Sequence, residues 1–266
     1  MFGFIIILII LFLFALRCRS GHPGMEALKG WSYAHRGLHG EGVPENSMAA
    51  FRAALEGGYG IELDIHLLAD GNLAVMHDSL LNRTTGQPGR IEDLTTEQLK
   101  DYRLEGTEET IPEFMDVLTL YNGKAPLIIE LKPTDGNHAA LAEAACRMMQ
   151  TYKGPFCMES FDPLCVVWLY KNRPDIIRGQ LTENYFKSRS ELPDYLKFSL
   201  QHCLTNFLCV PDFVAYRFAD RKSTVSLWLC KKLWKARTVT WTLRTKEDYD
   251  TAVAEGWIPI FDNFLP

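Results

Sequence analysis

The chain contains no Cys-x-x-Cys pair, no cation ahead of its N-terminal apolar run, no low-complexity tract and no excess of basic charge. Each absence excludes something. Its seven cysteines, at positions 18, 146, 157, 165, 203, 209 and 230, are odd in number and several sit in apolar runs. They read as reduced, buried small hydrophobes rather than a disulfide framework or a zinc knuckle, which favours a reducing compartment. A net charge of −5 and a pI near 5.8 argue against an electrostatic role in nucleic-acid binding, though an acidic chain can still bind an anion where a few cations converge. With 266 residues, 47% of them hydrophobic, the chain is long and apolar enough for one large domain with a real core.

Phe2 to Leu16 form an almost unbroken apolar run, with Arg17 and Arg19 directly after it. A secretory signal places its positive charges first and ends in small residues, and a lipoprotein cysteine follows small uncharged ones, so neither description fits. At about 1.5 Å per residue the run covers about 22 Å, short of a hydrocarbon core of roughly 30 Å unless residues 17–20 snorkel as a flank. The expectation is a membrane anchor and linker over residues 1–24, with a single span through residues 2–16. The basic flank then predicts a cytoplasmic catalytic domain over residues 25–266.

The stretch Gly60-Ile61-Glu62-Leu63-Asp64-Ile65-His66-Leu67 reads as a strand, yet Glu62 and Asp64 stand where a buried strand places Val or Ile. The period of two sends both carboxylates to one face, roughly 6 to 7 Å apart at the backbone. Like charges at that spacing are unfavourable without a cation between them. A turn at Asp70-Gly71 and a second strand ending at His77-Asp78 then return an imidazole towards the pair.

Strand patterns recur at 31–34, 126–132, 156–160, 176–181, 213–216, 238–242 and 257–261. They alternate with helix patterns at 48–56, 93–104, 111–120, 137–152, 163–172, 195–203, 224–235 and 246–254. About eight strand–helix units predict a (β/α)8 barrel, with a doubly wound open sheet as the competing fold. In such barrels function gathers at the carboxyl ends of the strands. His35, Glu62, Asp64, Glu130, Lys132, Ser160 and Trp241 all fall late in, or just after, a strand.

Glu62, Asp64 and Glu130 supply three anionic oxygen donors and no thiolate, a set suited to Ca²⁺ or Mg²⁺, with Mn²⁺ admissible. His35 and His77 each end a strand beside them and suit an acid–base pair at neutral pH. Arg36 and Lys132 are placed to grip an anion. His66 continues the carboxylate face but reads as solvent-facing, and His22, His39, His138 and His202 read as surface or loop residues. Cations, a hard divalent metal and two imidazoles around one point describe phosphodiester cleavage.

The ordered motifs Ala34-His35-Arg36-Gly37, Pro44-Glu45-Asn46-Ser47, Glu62-Leu63-Asp64-Ile65, Met76-His77-Asp78 with Arg83-Thr84-Thr85, Ile111-Pro112 and Ile129-Glu130-Leu131-Lys132 resemble those of the glycerophosphodiester phosphodiesterase family. Glu159-Ser160-Phe161-Asp162-Pro163 and Val239-Thr240-Trp241-Thr242 extend the likeness over about Ser32 to Asp262. The resemblance implies a (β/α)8 TIM barrel of phospholipase C-like phosphodiesterase type that hydrolyses glycerophosphodiesters to sn-glycerol 3-phosphate and an alcohol. It assigns the metal to Glu62, Asp64 and Glu130, acid–base catalysis to His35 and His77, and substrate contacts to Arg36, Lys132 and Trp241. The family's Thr-Asp ending is here Phe261-Asp262. Competing functions are lysophospholipase D-like or phospholipase C-like cleavage of membrane lipids, aided by Trp31, Tyr185, Phe186 and Tyr216, and a non-catalytic barrel that binds polyol phosphates.

Overall fold

The computed structural model describes residues 2–188 and 190–266. Nine strands form one sheet: β1 (Tyr33–His35), β2 (Gly60–Leu67), β3 (Leu73–Val75), β4 (Leu127–Leu131), β5 (Phe156–Ser160), β6 (Arg178–Thr182), β7 (Phe213–Arg217), β8 (Arg237–Leu243) and β9 (Ile258–Phe261). β1 pairs in parallel with both β2 and β9, so eight strands close into a barrel, and β3 lies antiparallel on the rim of β2. Closure removes the open doubly wound sheet from consideration.

The strands are buried on both faces, as parallel strands under a ring of helices must be. Outward-facing Ile61, Leu63, Ile129 and Leu131 pack with Phe51, Val117 and Leu141 of the surrounding helices. The inward face changes character along its length. Tyr33, Ile128, Cys157, Phe213, Val239, Ile258 and Ile260 fill the lower barrel with apolar side chains. Above them, at the carboxyl ends of the strands, stand His35, Glu62, Glu130 and Glu159. The functional layer therefore rests on a dry plug.

At the exit of β1 the chain turns sharply. Arg36 and Gly37 both have positive φ, and a Cβ on Gly37 would meet Ala50 at 2.8 Å, so only glycine fits there. Ser47 caps the following helix (Met48–Glu56) by accepting from the Ala50 amide.

Two expectations change. Residues 93–104 form no α-helix but two short 3₁₀ turns, Ile91–Asp93 and Thr96–Asp101. Leu94, Leu99 and Leu104 recur every five residues, a spacing no α-helical stripe can present, and they join a separate cluster with Met76, Leu81 and Ile111. The second correction concerns the N-terminus. Phe2–Ala15 is a helix of 14 residues, and no described helix is long and apolar enough to cross a membrane. The flank that was to lengthen the span is held by the barrel instead. Leu16 and Cys18 are buried, Trp234 Nε1 donates to the Leu13 carbonyl at 3.0 Å, and Arg19 Nη2 pairs with Asp212 at 2.6 Å. The span through residues 2–16, the membrane-anchored location and the cytoplasmic orientation derived from it are accordingly set aside.

Gly179 of β6 faces the plug, where a Cβ would lie 2.1 Å from the fully buried Phe213 ring. Gly179→Ala is expected to lower stability by about 1–3 kcal/mol in urea unfolding; an unchanged midpoint would mean that the plug is loosely packed.

Candidate active site

Register builds the site. Glu62 lies across from His35 on β1, Asp64 from Glu130 on β4, and Glu130 in turn from Glu159 on β5. Parallel partners in register share a face, so four carboxylates crowd the mouth of the barrel, all nine-tenths or more buried. Ligand oxygens of Glu62, Asp64 and Glu130 lie within 4.8 Å of one another.

Two side-chain cations answer these charges. Lys132 Nζ is 3.0 Å from Glu130 Oε1 and 3.5 Å from Asp64 Oδ1, and Arg36 Nε is 3.5 Å from Asp64 Oδ2. Asn46, in the left-handed conformation that asparagine tolerates, donates its amide to Asp64 at 2.9 Å. Burial alone would raise the Asp64 pKa, but Lys132, His77 and Arg36 hold it well below the carboxylate range. Glu62 goes the other way: burial pushes it well above its ordinary value, with Asp64 and Glu130 adding to the rise. Glu159 is raised by burial and then by Glu130 and Asp64, and its Oε2 has no hydrogen bond. Lys132 is kept protonated against its burial by Glu130 and Asp64.

The carboxylate triad fits a hard divalent cation. All its donors are oxygen, it carries more negative charge than Lys132 and Arg36 offset, and Asp64 Oδ1 is buried without a hydrogen bond. Such an atom is costly to bury unless something binds it.

The two expected imidazoles flank the triad in different settings. His35 Nε2 stands 4.0 Å from Glu62 Oε2, and burial lowers its pKa, which keeps the ring neutral. His77 Nδ1 meets Asp78 Oδ1 at 2.6 Å. Asp78 is held ionised by His77 and also by Arg83, whose guanidinium bridges Asp78 to Glu45. Glu45 in turn accepts from Arg36 Nη1 at 2.9 Å. A chain of alternating charges thus runs from Asp78 through Arg83 and Glu45 to Arg36, fixing one of the two cations beside the triad.

The structure brings Glu62, Asp64, Glu130, Arg36 and Lys132 together and sets His35 and His77 beside them. Trp241 is separate from the triad: its ring stands edge-on to Phe161 at 5.4 Å and its Nε1 approaches the Ala215 carbonyl at 3.4 Å. His66 is 2% exposed rather than solvent-facing. Its Nδ1 meets Glu92 at 2.8 Å and its Nε2 lies 3.3 Å from the His77 carbonyl, so it braces the loop that carries His77. Tyr185 and Tyr216 are buried in the core and offer no surface to a lipid.

Sequence reading gave Glu159 and Asp262 no role and read His39 as a surface or loop residue, whereas its Nε2 is buried against Asp262. Glu159 carried the same signal as Glu130, a carboxylate breaking an apolar strand, and register makes them neighbours. Asp262 and His39 meet at 3.0 Å across 223 positions of chain, a pairing no local pattern announces.

Compared with known proteins, residues 35–162 match the sequence model of the glycerophosphoryl diester phosphodiesterase family. A glycerophosphodiester phosphodiesterase of Bacillus altitudinis is 43% identical over 38% of this chain and 43% of its own length. One from Caldanaerobacter subterraneus subsp. tengcongensis is 38% identical over 45% of this chain and 52% of its own. The chain thus spans about half the length of these curated relatives. In fold it resembles an Oleispira antarctica phosphodiesterase solved with sn-glycerol-3-phosphate, with a TM-score of 0.73 at 22% identity, covering 92% of this chain and 95% of that one. The likeness read from the motifs therefore holds.

The raised carboxyls have a measurable consequence. A group whose pKa is raised by folding binds more protons folded than unfolded, so its contribution is complete at low pH and lost as pH rises through the raised value. His35, lowered by burial, acts in the opposite sense only below its unfolded value of about 6.5. The metal-free protein is therefore expected to lose the thermal stability that Glu62 and Glu159 contribute as pH climbs from the ordinary glutamate value of 4.5 towards their raised ones. Saturating Mg²⁺ or Ca²⁺ removes that loss by neutralising the cluster. Differential scanning calorimetry with and without chelator tests this, and an identical pH slope in both would refute it.

Proposed function

We propose, for a chain whose residues 35–162 belong to the glycerophosphoryl diester phosphodiesterase family, that it is a divalent-metal-dependent hydrolase releasing sn-glycerol 3-phosphate and an alcohol from glycerophosphodiesters. The observation that carries this reading is the buried Glu62–Asp64–Glu130 triad at the barrel mouth, flanked by His35 and His77 and by two cations. Mg²⁺ and Ca²⁺ are the cations the donors favour, with Mn²⁺ next.

Arg36 and Lys132 bind the phosphate oxygens, Arg36 through a guanidinium already oriented by Glu45 and Lys132 as a point charge. The divalent cation held by the triad supplies Lewis-acid neutralisation of charge developing on the non-bridging oxygens. His35, kept neutral by burial, is the proton acceptor. It takes a proton from water, or from the neighbouring glycerol hydroxyl, as that oxygen bonds to phosphorus. His77, facing an ionised Asp78, is the donor: it protonates the alkoxide as the bond from phosphorus to the alcohol oxygen breaks. The different surroundings of the two rings supply the division of roles. Trp241 and Phe161 form an apolar wall for the leaving alcohol.

The full chain is expected to release glycerol 3-phosphate from glycerophosphocholine or glycerophosphoethanolamine and to lose that activity on chelation. His35→Ala and His77→Ala should each lower turnover by roughly 10²- to 10⁴-fold. Undiminished rates in excess EDTA, or in both histidine variants, would overturn the assignment. In ¹⁸O-labelled water, label entering the phosphate product without a cyclic species in the phosphorus spectrum identifies direct attack by water.

A further inference from the structure

We propose that His35, His39 and Asp262 form a second cation site, for Zn²⁺ or a similar borderline metal, whose occupation switches the enzyme off. The inference rests on the phosphodiesterase reading for its inhibitory part alone; the site itself rests on geometry.

Ligand atoms of the three residues lie within 4.8 Å of one another, the one such group among the described residues besides the carboxylate triad. His39 Nε2 is 3.0 Å from Asp262 Oδ1, and His35 Nδ1 is 3.7 Å from Asp262 Oδ2. All three facing atoms, His35 Nδ1, His39 Nε2 and Asp262 Oδ1, are buried without a hydrogen bond. For His39 and Asp262 the separation is short enough for such a bond, so it is direction that fails: the ring nitrogen does not point at the oxygen. Three buried donor atoms thus lie within 4.8 Å of one another with none of them satisfied. Metal bonds of about 2.0–2.1 Å in a tetrahedral site put neighbouring donors about 3.3–3.4 Å apart, close to the 3.0 Å between His39 Nε2 and Asp262 Oδ1, with His35 Nδ1 within 4.8 Å of both. Arg244 Nε lies 3.3 Å from Asp262 Oδ2, leaving Oδ1 as the coordinating oxygen.

The donor sets separate the two sites. Three carboxylates select a hard cation; two imidazoles and one carboxylate select Zn²⁺, or Co²⁺ as its spectroscopic substitute. The inhibitory consequence follows from imidazole chemistry. The acceptor role of His35 requires a free lone pair on Nε2 and the ring proton on Nδ1. A cation on Nδ1 takes the lone pair of that nitrogen, so the single ring proton sits on Nε2, the nitrogen that faces Glu62 Oε2 at 4.0 Å. The ring can then no longer accept a proton from the attacking oxygen.

The test uses the full chain with Mg²⁺ saturating. Zn²⁺ is titrated while glycerophosphodiester hydrolysis is followed, and Co²⁺ is titrated separately while visible absorption is read. Zn²⁺ is expected to lower the rate at least about tenfold, and Co²⁺ to give the intense d–d bands of a low-coordinate imidazole site. His39→Ala, which alters neither the triad nor a group assigned to the reaction, should keep its Mg²⁺-supported rate within about twofold. It should also lose the Co²⁺ bands and require at least about tenfold more Zn²⁺ for the same inhibition. Glu130→Gln, which dismantles the triad, should retain the bands. Equal Zn²⁺ sensitivity in His39→Ala, absent bands in the unaltered chain, or bands that survive His39→Ala but vanish in Glu130→Gln would each overturn the proposal. Should the unaltered chain hydrolyse no glycerophosphodiester, the functional reading fails while the Co²⁺ bands still decide the site.

Discussion

Mutual repulsion among carboxylates is the constraint on which the mouth of this barrel depends. Glu62, Asp64, Glu130 and Glu159 are all buried within reach of one another, and among the described residues Lys132 and Arg36 are the permanent cations that pair with them. A buried charge without a partner is among the most expensive features a fold can carry. The surroundings read as responses to it. Asn46 turns into a left-handed conformation to reach Asp64, Glu45 and Arg83 hold Arg36 in place, and burial beside other carboxylates raises the pKa values of Glu62 and Glu159. The same constraint makes the site selective, because a compact divalent cation relieves it better than a diffuse monovalent one.

The apolar plug below gives that layer its rigidity. Tyr33, Ile128 and Phe213 fill the barrel so closely that Gly60 and Gly179 have no room for a methyl group. Side chains standing on such packing cannot sink away from one another, so their separation is set by strand register rather than by electrostatic relaxation. The carboxylates are thus kept ready for a ligand instead of being organised by it.

Much of this was legible in the sequence because it depends on short-range periodicity. The period-two face of Glu62 and Asp64, the interrupted strand at Glu130 and the histidines ending β1 and preceding Asp78 are all local signals, and eight alternating units are enough to indicate a closed barrel. What escaped depends on tertiary pairing. Asp262 and His39 meet only because β9 returns to β1, and His66 is buried only because Glu92 folds over it from a loop. The helix expected at 93–104 failed because its leucines serve a satellite cluster rather than a helical stripe. The expected span failed because hydropathy along the chain does not reveal that Leu16 and Arg19 have partners on the barrel.

The eight strands do not contribute equally to the site. The triad, both imidazoles, Arg36, Lys132 and the fourth carboxylate all lie between His35 and Glu159, within the first half of the barrel and within the stretch that matches the family. Strands β6 to β9 bring Trp241 and Asp262 to the rim and otherwise complete the wall. The barrel thus has two unlike halves joined along β1 and β5. A substitution in the first is felt across several ion pairs at once, whereas one in the second acts mainly through packing, as at Gly179 against Phe213.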